Sequence, residues 1–114
     1  MCRPIKEYLL KDFYGEDYML APYIYQYQNN GSLAILLFGD DDEPFCDMTV
    51  NITTARTSGS NCAFVDTNNN PWIIEFILDN GLGKPTGRYG MSGYCQYPEY
   101  EFDLSRMNEG QPNY

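Results

Sequence analysis

The chain has 114 residues, with sixteen Asp and Glu against seven Lys and Arg and a formal net charge of −9. That field repels nucleic acid and anionic membranes, so a charged partner should be basic. The length supports one hydrophobic core, and 43% hydrophobic with 16% aromatic residues sets the chain apart from acidic disordered tails. The expectation is a single domain over residues 1–114, with residues 108–114 as a flexible tail.

In chain order, residues 1–15 (MCRPIKEYLLKDFYG) carry no long apolar core with a cleavage site, and no later run is long and apolar enough to span a bilayer. This predicts a cytoplasmic protein with no membrane partner. Cys2, Cys46, Cys62 and Cys95 are then read as reduced thiols. The stretch EYLLKDFYGEDYMLAPYIYQYQ reads as a hairpin around Gly15, with Tyr23, Tyr25 and Tyr27 on one strand face, although PIKEYLLKDF also fits a short amphipathic helix. Asn29, Asn30 and Gly31 make a second turn before the apolar run Leu33 to Phe38. Beyond the acidic stretch, Cys46, Met48, Val50 and Ile52 alternate with Asp47, Thr49 and Asn51, the pattern of a strand with one wet face. TTARTSGSN reads as a loop.

NNNPWIIEFILDNGLG, residues 68–83, predicts a helix over about residues 71–80. Asn70 is placed as its cap, Pro71 at its first position and Gly81 as a left-handed stop. Trp72 should pack on a sheet beside Phe64 or Phe102, with Glu75 and Asp79 a turn apart on another side. GKPTGRYGMSG reads as turns, while Tyr100, Phe102 and Leu104 alternate with Glu99, Glu101 and Asp103 in a strand that Pro98 marks as an edge or as bulged. The predicted fold class is α+β, a mainly antiparallel sheet covered by one principal helix.

The blocks DTNNNPW, GLGKPTGR and SGYC, with the upstream NNGSLAILL and EPFCDMTVNI, resemble an uncharacterised family of small acidic bacterial proteins met on mobile genetic elements. The resemblance covers about residues 13–104 and implies a phage or plasmid setting in a bacterial host, with no chemistry attached.

Catalytic and metal readings find little support. Counted from Asp40, a calcium loop needs Gly at its sixth position and Glu at its twelfth, where Phe45 and Asn51 stand. The four Cys form no C-x-x-C pair and His is absent, so zinc is kept only as a minor alternative, and no cofactor is expected. A Ser or Cys nucleophile would have no His base, and GLGKPTGR follows a helix instead of opening one, so it is no phosphate loop. Lys84 and Arg88 are read as internal partners for carboxylates. An enzyme is therefore not expected.

The carboxylates suggest binding. Glu99, Glu101 and Asp103 on one strand face would stand about 6.6 Å apart, near the spacing of phosphates on a nucleic-acid strand. With Asp40, Asp41, Asp42 and Glu43 they form the predicted partner surface, and the bland alternative is a wet turn and a solvated strand. The expected function is an inhibitor that occupies a basic nucleic-acid-binding protein, such as a CRISPR effector or restriction enzyme, by nucleic-acid mimicry and without touching nucleic acid. The alternative is an interaction module using Tyr23, Tyr25, Tyr27, Tyr94, Tyr97 and Tyr100.

Overall fold

A computed structural model describes residues 5–39 and 43–109. Strands β1 (Tyr8–Phe13) and β2 (Glu16–Gln26) meet at a two-residue turn in which Tyr14 and Gly15 both have positive φ, 51° and 84°, the backbone twist that suits a tight hairpin. The predicted hairpin forms, and the helical alternative for its first half does not. The Asn29–Gly31 turn then returns the chain into β3 (Leu33–Phe38), which pairs with β4 (Pro44–Asp47) to complete a four-stranded antiparallel sheet in the order β1-β2-β3-β4.

The strand expected across Cys46 to Ile52 is two strands in two sheets. At Met48 the chain leaves the first sheet, and β5 (Thr49–Val50) enters a second with β6 (Cys62–Val65), β7 (Gly83–Ser92) and β8 (Cys95–Phe102), in the order β5-β6-β8-β7. The Met48 amide donates to the Ile35 carbonyl at 2.9 Å and its carbonyl accepts from the Asp66 amide at 3.0 Å, so one residue joins both sheets. Such a corner is how one chain covers both faces of a core.

β8 is a central strand, contrary to the edge position that Pro98 suggests. Its ladder to β6 runs from Cys62–Glu101 to Phe64–Glu99 and stops before Pro98, so the missing amide hydrogen costs no ladder bond there. The bulge lies opposite, in β7 between Pro85 and Tyr89. β7 itself is the segment read from sequence as turns. Its glycines serve close approach: a Cβ on Gly90 would lie 2.7 Å from Ile52 and 2.9 Å from Phe64.

The helix α1 is shorter than predicted, Ile73–Asp79, and Gly81 with φ of 64° stops it as expected. Asn70 does not cap it. The Asn70 side chain donates to the Asp47 carbonyl at 2.9 Å, and the entry turn is held by Asp66, whose carboxylate accepts from the Asn69 amide and side chain. Half of the described residues are strand and a tenth helical, so the sheet-under-a-helix α+β class gives way to a mostly β architecture of two sheets. The main core draws on both sheets and α1 together, with Leu20, Ile35 and Leu37 meeting Val65, Phe102, Ile73 and Ile77, all at most 2% exposed.

Past the 3-10 turn Leu104–Arg106, the chain comes back to the first sheet. Asn108, which the sequence places at the start of a flexible tail, exchanges backbone hydrogen bonds with Pro22 and Ile24 on β2 beyond the first residue of β1, and its side chain bonds both the amide and carbonyl of Lys6. Residues 110–114 of that segment lie outside the described residues.

Candidate binding surface at the aromatic end

The structure divides the predicted acidic row. Glu99 is fully buried, and its carboxylate accepts from the Ser58 amide (2.8 Å), Ser58 Oγ (2.6 Å), Thr86 Oγ1 (2.7 Å) and Arg88 Nη1 (3.4 Å). Burial alone would raise its pKa, but the Ser58 and Thr86 hydrogen bonds and the Arg88 charge together hold it below the ordinary glutamate value. Its role is to pin the 51–61 loop, whose Ile52 packs with Phe64 and Tyr97 on the outer face of the second sheet. Glu101 is half-buried and pairs with Lys84 at 3.5 Å. Asp103 lies past the strand end, where it accepts from Ser105 and pairs with Arg106 at 3.7 Å. The reading of Lys84 and Arg88 as internal partners matches these pairs, and a continuous exposed row on β8 does not exist. Of the DDDE turn, Asp40, Asp41 and Asp42 lie outside the described residues, while Glu43 is exposed and its carbonyl closes the turn to the Gly39 amide at 2.7 Å.

The six-tyrosine surface is also dispersed. Tyr23, Tyr97 and Tyr100 are buried, Tyr25 and Tyr27 half-buried, and Tyr94 alone of the six stands fully exposed at the β7–β8 turn.

A different assembly gathers at one end of the first sheet. Phe13 from β1, Tyr18 from β2, Phe45 from β4 and Trp72 at the entry to α1 pack their rings against one another, with Phe13–Trp72 centroids 5.5 Å apart, Phe13–Phe45 5.6 Å and Phe45–Trp72 5.9 Å. The mostly edge-to-face angles suit the ring quadrupoles and leave each ring half-buried. Trp72 does meet a sheet as predicted, but its neighbours are Phe13, Phe45 and Phe76, not Phe64 or Phe102.

Carboxylates ring this patch. Glu16 accepts from the Tyr18 hydroxyl at 2.8 Å, and that bond together with the Glu16 charge holds the phenol above its ordinary pKa. Glu43 precedes Phe45 by two residues, and Glu75 and Asp79 rise from α1 one turn apart. Between β1 and α1 runs a cleft of about 700 Å³ whose lining includes Phe13, Trp72 and Phe76, with Glu75 and Asp79 on the helix and Lys11 on the strand. Among the described residues, neither Glu75 nor Asp79 enters an ion pair. The sequence signals Trp72 and the Glu75/Asp79 pair, but gives no sign that Phe13 and Phe45 converge on them, because the convergence is made by strand pairing over long separations.

Cys46 follows Phe45 in β4, while Cys62 and Cys95 lie on the second sheet. Burial, with the charges of Asp47 and Asp66 added, pushes the Cys46 thiol up to about 12, and burial likewise raises Cys62. Cys46, Cys62 and Cys95 are unbridged, Cys2 lies outside the described residues, and no group of three metal-ligating side chains gathers among the described residues. No helix there is long and apolar enough to cross a membrane.

The chain belongs to the family described as a domain of unknown function, DUF4313, whose model matches residues 22–113. No curated protein and no solved structure matches it.

Proposed function

We propose that this DUF4313 protein is a binding protein without catalytic activity, and that its aromatic end docks onto a basic protein. The observation that carries the reading is the half-buried ring cluster of Phe13, Tyr18, Phe45 and Trp72 beside carboxylates of α1 that form no ion pair among the described residues. Rigid aromatic rings supply desolvated contact area, and flanking carboxylates select Arg and Lys from the partner. The net charge of −9 steers the same class of partner over a longer range.

The partner we favour is a nucleic-acid-binding protein of a bacterial host, such as a restriction enzyme or CRISPR effector, which the protein would occupy on behalf of a mobile element. Imitation of phosphate spacing along β8 is not part of this proposal, because Glu99 is buried beneath the 51–61 loop. Affinity capture from bacterial lysate, with and without competing duplex DNA, tests it. Basic nucleic-acid-binding proteins should be retained at low salt and displaced by the duplex, whereas capture that neither salt nor duplex affects would refute it.

A further inference from the structure

We propose that the cleft between β1 and α1 is a receptor pocket for an arginine side chain presented by a basic segment of the partner; the inference rests on the binding reading above. Three features of the cleft converge on a guanidinium.

Phe13 and Trp72 supply half-buried aromatic wall, and the lining also includes Leu10 and Phe76, both almost wholly buried, so an inserted side chain would lose water along its stem. A guanidinium is flat, weakly hydrated and stacks on aromatic faces, whereas an ammonium holds its water more tightly. Glu75 and Asp79 follow one another at i and i+4 on the exposed side of α1, about 6 Å apart, so both can reach one forked cation at the mouth. The Asn80 side chain, also on the lining, spans from α1 to the Leu9 carbonyl at 3.2 Å and ties the helix to the strand, which fixes the width of the cleft. A volume of about 700 Å³ holds an arginine with its flanking backbone.

Among the described residues, Lys11 on the strand lip is the one basic side chain of the lining. It offsets part of the carboxylate field and disfavours shallow, non-specific attachment of cations. Its removal should therefore tighten binding.

Trp72 is the lone tryptophan of the chain and lines the cleft, so its emission reports on the aromatic end that holds the cleft. The test titrates the intact protein, at low salt, with capped Gly-Arg-Gly, its neutral citrulline isostere and Gly-Lys-Gly, following Trp72 emission and, in parallel, heat of binding. The arginine peptide should give a saturable change, the lysine peptide a weaker one and citrulline at least about tenfold weaker still. Glu75→Gln with Asp79→Asn should weaken the arginine response about five- to tenfold without lowering the melting temperature, and Lys11→Gln should strengthen it. Equal responses to arginine and citrulline, or an arginine response unchanged in the Glu75→Gln/Asp79→Asn protein, would overturn the pocket. So would heat of binding with unchanged Trp72 emission, which leaves the broader acidic-surface reading standing; loss of partner capture in lysate is what would bring down that reading.

Discussion

Glu99 shows how far a charged residue's role can lie from the one its spacing suggests. Alternation places it on the same strand face as Glu101, but the 51–61 loop covers that face, and four donors saturate its carboxylate. Nothing in a single sequence marks a loop that folds back over a strand. Because the folded pKa lies below the ordinary value of 4.5, the stabilisation is complete above that value and is lost as pH falls through it toward the folded pKa. Glu99→Gln should cost about 2 kcal/mol near neutral pH, and its melting temperature should fall less steeply below about pH 5 than that of the parent, as thermal scans across pH would show. At Trp72 the side chain was legible and its neighbours were not. Trp72→Ala should cost about 2–4 kcal/mol in denaturant unfolding, through loss of contacts with Phe13, Phe45 and Phe76. Cys46, whose thiol is held protonated, should resist iodoacetamide in the folded protein at about pH 8 and react once unfolded, as mass spectrometry would reveal.

Among the elements, those closed by local turn chemistry were the readable ones. Gly15 and the Asn29–Gly31 turn announce the first two hairpins, and Gly81 marks the helix stop. β6 is too short to show a period, and β7 is masked by Gly83, Pro85, Gly87 and Gly90, residues that sequence rules assign to loops. In the structure Gly83 and Gly90 admit neighbouring side chains or backbone at distances no Cβ tolerates, a use of glycine that depends on strands not yet known to be adjacent. The helix was overestimated for a related reason. Seven residues are too few to be stable in isolation, and α1 persists by burying Ile73, Phe76 and Ile77. Its entry is held from outside, by the Asn70 side chain bonded to the Asp47 carbonyl of β4 and by Asp66 on the turn before it. Asn70→Ser, which retains a helix-capping oxygen, should therefore destabilise nearly as much as Asn70→Ala, by about 1–2 kcal/mol, because neither reaches the Asp47 carbonyl; a neutral serine would restore the cap reading.

Over the whole molecule, the main core is enclosed by two sheets joined at Met48, and the returning C-terminal segment is fastened to β2 by Asn108. The mainly antiparallel pairing was legible because hairpin-length links leave few alternatives, and the division into two sheets was not, since the Cys46–Ile52 alternation runs unbroken across the corner. The same long-range closure brings β1, β2, β4 and α1 to the aromatic end and disperses the acidic row and the tyrosine set that strand alternation assembles. We assign partner binding to the aromatic end. The most direct test of this assignment is the affinity of a captured basic partner for two charge-reversed proteins, Glu75→Lys/Asp79→Lys and Glu101→Lys/Asp103→Lys, each shown to keep its fold. Binding should be at least tenfold weaker for the α1 pair and change less than threefold for the β8 pair, since Glu101 and Asp103 are engaged with Lys84 and Arg106. The reverse order, with binding lost from the β8 pair and kept by the α1 pair, would contradict it.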